Sequence, residues 1–124
     1  MQIVTTPHAP AAVGPYSQAT KAGNMVFLSG QIPLDPQSGE LILGDITAQA
    51  TRVLENLKAV CEATGGNLQN VVKCTVFMVD LAHFQAMNTV YAQYFKEHKP
   101  ARSTIQVAAL PKGAQVEIEA IMVI

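Results

Sequence analysis

The chain has 124 residues, of which 49% are hydrophobic and only 14% charged; eight basic and nine acidic side chains leave a formal net charge of −1. That length suits one domain over residues 1–124, with a real core and no room for a second. No Lys/Arg run and no basic stripe interleaved with aromatics is present, which argues against nucleic acid as a partner; no apolar stretch nears the ~20 residues of a membrane span, and "MQIVTTPHAP" lacks the basic and apolar regions of a secretory signal.

Turn signals punctuate the chain. Ser17–Ala22 and Met25–Ser29 flank Gly23-Asn24, a pair that tolerates positive φ, and read as a hairpin. "IPLDPQSGE" follows as a turn region. A helix is expected from Asp45, its N-cap, to Gly65-Gly66. Its apolar stripe is Ala50, Val53, Leu54, Leu57, Val60 and Cys61. Val71–Val79 is almost continuously apolar and β-branched, as expected for a strand covered on both faces. Asp80 is placed to cap a second helix over Leu81–Lys96, with Phe84, Met87, Tyr91, Tyr94 and Phe95 as its stripe. Asn88 falls within that stripe, and an unpaired buried amide would cost on the order of 1–3 kcal/mol, so it calls for partners. Pro100 stops the helix; "RSTIQVA" reads as a strand, "ALPKGAQ" as a turn and "VEIEAIMV" as the last strand.

This order predicts an α+β domain with both helices on one face of a mixed β-sheet. The other face then needs cover. A second copy of the chain can supply it, in keeping with a charged fraction well below the usual ~25%. Cys61 and Cys74 have neither a C-x-x-C nor a metal spacing and read as small core hydrophobes in a reducing, cytoplasmic setting. His8, His83 and His98 match no metal-ligand pattern, the latter two reading as solvated, and no phosphate-binding glycine motif or nucleophile elbow occurs. Metal and nucleotide chemistry are therefore not expected.

The chemistry is expected in the two C-terminal strands. Arg102 is one of only two arginines and opens a strand that looks buried. It is either half of a surface ion pair or a clamp for a ligand carboxylate. Alternation places Arg102, Thr104 and Gln106 on one face of that strand. In the last strand Glu117 and Glu119 share a face with Ile121 and Val123, which therefore runs from wet to dry. A carboxylate near the dry boundary suits a proton carrier; the bland alternative is a solvated strand end. On this ground alone Glu119, beside Ile121, is where a raised pKa is expected.

"GPYSQA", "FLSGQIP", "GDITAQATRVLENLKAVCEATGG", "VVKCTVFMVDL" and "PARST…LPKGAQVEIEAI" closely resemble, in order and along the whole chain, the RidA (YjgF-like) reactive intermediate deaminase family. The resemblance implies a chorismate-mutase-like fold and a homotrimer with a central barrel, outer helices and active sites between subunits. It implies a cofactor-free hydrolysis of 2-enamine and 2-imino acids, such as 2-aminoacrylate, to 2-keto acids and ammonia. It further implies catalytic roles for Arg102 (substrate carboxylate), Glu117 (water) and Tyr16 (ring over the cleft), with Ser29, Gly30, Asn88 and Thr104 binding substrate. Thr104 stands where many members have cysteine, a position expected to act through its backbone, and "KEHKPARS" is shorter than in several deaminating members. Two other functions compete with the deaminase. A non-catalytic module sensing 2-keto acids or binding protein would need Arg102 but not Glu117. An endoribonuclease or translation inhibitor would need a basic surface that this composition lacks.

Overall fold

The computed structural model describes all of residues 1–124. Six strands form one mixed sheet: β1 (Gln2–Val4), β2 (Ala19–Ala22), β3 (Met25–Gln31), β4 (Val71–Met78), β5 (Ala101–Gln106) and β6 (Val116–Val123). Their spatial order is β1-β2-β3-β6-β4-β5. All neighbours are antiparallel except β4 and β5, which run parallel and are joined by α2 (Phe84–Tyr94). The other helix, α1 (Ile46–Ala63), packs across β3 and β6 and against α2. This is the α+β, chorismate-mutase-like arrangement expected.

Local chemistry sets the ends of these elements. The Asp45 carboxylate accepts from the Ala48 N–H at 3.0 Å and starts α1. Gly65, at φ +93°, follows its C-cap. Asp80 does cap, but it caps a 3₁₀ turn over Leu81–His83; α2 begins at Phe84 and ends at Tyr94, two residues short of Lys96. β5 starts at Ala101 and stops at Gln106, and β3 runs on past Ser29. β1 was not foreseen, because three residues on a sheet edge carry too little pattern.

The core lies between the helices and one face of the sheet. Val26 and Leu28 of β3, Cys74, Val76 and Met78 of β4, and Val116, Ile118 and Met122 of β6 meet Leu54, Leu57 and Met87 there. Each large side chain so buried contributes roughly 1.5–3 kcal/mol. Cys61 and Cys74 are both free and buried in this layer, and burial pushes the Cys61 thiol up to about 12, so they pack as hydrophobes. The Tyr94 hydroxyl donates to Glu55 at 2.7 Å and clasps the two helices. His98, expected in solvent, is half-buried and hydrogen-bonds the Val71 carbonyl.

The opposite face of the sheet is bare within one chain. Phe27 is exposed there, and Lys73, Thr75, Phe77 and Ile121 are half-buried. β4 is therefore covered on one face only. Its apparent lack of alternation conceals a real one, with Lys73 and Thr75 turned away from the helices.

Candidate active site

A cleft of about 550 Å³ opens where β3 and β6 meet the loop before β2. Tyr16, Ser29, Gly30 and Glu117 line it together, with Lys112 and Glu119 at its border. The pairing of β3 with β6 creates this site. Leu28 faces Ala120 and Gln31 faces Ile118, so β3 spends three residue steps where β6 spends two. Ser29 and Gly30 occupy this bulge, which bends the strand and re-aims the groups on it.

Gly30 leaves the space that Glu117 fills. A β-carbon at residue 30 would lie 2.4 Å from one Glu117 carboxylate oxygen and 2.9 Å from its carboxyl carbon. Glu117 is half-buried, and burial first, with the Glu119 charge second, raises its pKa above the usual carboxylate range. The wet-to-dry expectation had pointed to Glu119, yet Glu119 is the exposed member of the pair. The cleft walls shelter Glu117, and strand alternation carries no information about walls built from loops.

Tyr16 is half-exposed at the rim, and its hydroxyl accepts from the Val13 N–H at 3.4 Å. The Ser29 hydroxyl donates to the Ser17 carbonyl at 2.6 Å. Its hydrogen is committed to that bond, which leaves its lone pairs as the free function. Lys112 sits at φ 58° and donates to the Gly39 carbonyl at 3.3 Å, tying two loops across the cleft border.

Arg102, Asn88 and Thr104 lie elsewhere. Arg102 donates to the Asn88 side-chain oxygen at 2.8 Å. Its guanidinium carbon stands 4.7 Å from the Tyr91 ring centre and 5.6 Å from that of Phe84. A neutral amide and two ring faces orient the fork and leave its charge unneutralised; the surface ion pair is not what the structure contains. Asn88 thus has its partner, and Phe84 and Tyr91, at −4 and +3 from it on α2, are the neighbours of Arg102 that sequence reasoning took for core alone. The Thr104 hydroxyl is buried without a hydrogen-bond partner.

The two groups are on opposite faces of the sheet. Arg102 pairs with Cys74, whose side chain is in the core, while Glu117 pairs with Phe77 on the bare face. β5 and β6 are also separated by β4, which places their backbones roughly 10 Å apart. No cluster of three His, Cys, Asp or Glu side chains is placed to hold a metal ion, and no helix is long and apolar enough to cross a membrane.

Residues 6–124 match the family model described as Endoribonuclease L-PSP. The human 2-iminobutanoate/2-iminopropanoate deaminase is 44% identical over 98% of this chain and 89% of its own length. Among solved structures, RidA from the Antarctic bacterium Psychrobacter sp. superposes with a TM-score of 0.96 at 52% identity, covering 100% of both chains. Escherichia coli TdcF with bound serine does so with a TM-score of 0.95 at 48% identity, covering 100% of this chain and 99% of its own.

Proposed function

The chain belongs to the endoribonuclease L-PSP family, the family of the RidA and YjgF proteins, and from that premise we propose that it hydrolyses 2-enamine and 2-imino acids such as 2-aminoacrylate to 2-keto acids and ammonia, without a cofactor. The observation that carries this reading is Glu117: a sheltered carboxylate packed against Gly30, in a cleft, with a raised pKa. A module that only bound a carboxylate would have no use for it.

In the proposed reaction the Arg102 fork takes the substrate carboxylate bidentately. The enamine gains a proton at carbon and becomes the imine. Water held by Glu117 adds at C2, giving up a proton to the carboxylate; the carboxyl returns that proton to the nitrogen, the C–N bond breaks to release ammonia, and the hydroxyl loses its proton to solvent as the keto group forms. A pKa raised toward the operating pH suits a group that must both accept and return that proton. Tyr16 closes the rim, Ser29 accepts from the substrate nitrogen, and Thr104 contributes its backbone. The serine of the TdcF structure is itself an α-amino acid with a free carboxylate, which favours this ligand class.

Opposite faces of one sheet cannot form one pocket, so a site with both Arg102 and Glu117 needs two chains. We place the working sites between subunits of a homotrimer, with the bare sheet faces turned inward. The free, buried cysteines suit a cytoplasmic setting. The endoribonuclease reading lacks an acid–base histidine, since none lines the cleft.

The test generates 2-aminoacrylate in situ with a serine dehydratase and follows pyruvate formation. The protein should accelerate it. Pyruvate release at the uncatalysed rate, with pyruvate still binding, would leave the sensing module in its place.

A further inference from the structure

Five polar side chains are buried in this molecule: Thr6, Gln18, Gln31, Gln49 and Asn56. Four of them are amides, and three of these each fasten one wall of the same cleft. Asn56 of α1 donates to the Leu34 carbonyl at 2.9 Å. Gln49, one face-repeat earlier on α1, accepts from the Gln115 N–H at 3.0 Å. Gln18 fastens the third wall, and the Ser29 hydroxyl adds one bond to it at the Ser17 carbonyl.

Residues 7–18 have no regular secondary structure and contain three prolines, and their backbone makes one hydrogen bond within the segment, from the Tyr16 N–H to the Gly14 carbonyl at 2.9 Å. Gln18, 3% exposed, supplies what is missing. Its side-chain oxygen accepts from the Thr6 N–H at 2.7 Å. Its amide nitrogen donates to the Pro10 carbonyl at 2.8 Å and the Thr6 carbonyl at 3.1 Å, with Ala9 at 3.4 Å sharing a proton. Its own carbonyl accepts from the Ser29 N–H at 3.0 Å, in the bulge. Pro10, Ala11, Val13 and Tyr16 line the cleft. Gln18 therefore buckles this wall to the strand that carries Ser29 and Gly30. Only a primary amide offers an acceptor and two donors from one plane; glutamate lacks the donors and leucine lacks both.

We propose that Gln18 is a positioning residue for the deaminase reaction, acting through Tyr16: it fixes the Pro10–Tyr16 wall against the bulge and so sets where the ring stands over the substrate. This rests on the deaminase reading. The experiment combines hydrogen exchange with a double-mutant cycle on the assembled protein. Gln18→Leu should speed amide exchange within residues 6–17 while α1, β4 and β6 keep their protection. It should lower kcat/KM on 2-aminoacrylate on the order of 10–10²-fold, as a misplaced wall does. In a Tyr16→Ala background the same change should cost less than about twofold, because its effect passes through that ring. Losses that multiply, or exchange that is unchanged in residues 6–17, would overturn the proposal. If Gln18→Leu does not fold, Gln18→Glu, which keeps the acceptor for Thr6, carries the same two readouts. A wild-type protein that does not speed pyruvate formation would remove the deaminase reading, and the exchange data would still decide whether Gln18 holds the wall.

Discussion

Arg102 and Glu117 stand on opposite faces of one sheet and are held in opposite ways. Arg102 is fixed by what touches it: an Asn88 oxygen at 2.8 Å and the rings of Tyr91 and Phe84. Glu117 is fixed by what is missing, the β-carbon of Gly30. No carboxylate pairs with the cation; an amide oxygen and two ring faces hold it. The carboxylate is held back from ionising because its shelter is dry and a second carboxylate lies nearby. A cation braced by contacts should fail when its shape changes, and a carboxylate seated in a gap should fail when the gap is filled.

The largest effect is expected at Arg102. Arg102→Lys keeps the charge and loses both the planar fork and its ring stacking. Turnover of 2-aminoacrylate should fall about 10³-fold with the fold intact by circular dichroism, most of an orientation effect being lost. Near-normal turnover would mean that charge alone suffices.

Glu117→Gln preserves shape and hydrogen bonding but removes the base. The rate should fall about 10²-fold, as loss of general-base assistance does, while pyruvate still binds by calorimetry. Loss of binding together with rate would make Glu117 a ligand contact and not a base.

Combining those two variants tests the geometry itself. Co-expressed Arg102→Lys and Glu117→Gln subunits should recover about a quarter of the wild-type rate, the chance that one intersubunit site draws both intact groups. No recovery in verified mixed trimers would place both groups in one chain's site, against their opposite faces in the sheet.

A smaller loss is expected at Gly30. Its backbone does not need positive φ, and the atoms a β-carbon would meet belong to the mobile end of Glu117. Gly30→Ala should therefore swing the carboxylate aside and leave the strand in place. The expectation is about a tenfold fall in kcat with a melting temperature within a few degrees of wild type. A collapse in stability with unchanged activity per folded molecule would reverse the comparison.

Much of this was legible in the sequence. Asp45, Gly65 and Asp80 announced their turns, the two helical stripes gave their faces, and alternation correctly sorted Glu117 from Ile118. The relation between Arg102 and Glu117 was not legible, because it depends on strand order. Nothing local says that β4 lies between β5 and β6, or that Cys74 is the partner of Arg102. The buried amides were hidden for a similar reason. Gln49 and Asn56 are seven residues apart and border the apolar stripe of α1, a spacing that could have flagged them; their partners, Gln115 and Leu34, are distant loop groups.

The smallest effect, at Glu119, is the most exacting test of how the carboxylate is held. Burial is the larger cause of the raised pKa of Glu117 and the Glu119 charge the smaller. Glu119→Gln removes only the second, so the pKa of Glu117 should drop and still stay above the ordinary glutamate value. If ionised Glu117 takes the proton from water, the rate declines as pH falls through its pKa. The acid limb of the pH–rate profile should then move to lower pH in Glu119→Gln, with the plateau unchanged. Stability should change in a matching sense. A carboxyl whose folded pKa is raised costs nothing below its unfolded pKa; the cost of ionising it accrues as pH climbs to the folded pKa and is complete above it. Removing Glu119 lightens that cost, so this term should make the variant slightly more stable than wild type above the folded pKa and no different below the unfolded one. An acid limb that does not move would mean that Glu117 does not feel Glu119 along the strand. A plateau that collapses would make Glu119, and not Glu117, the residue that holds the water.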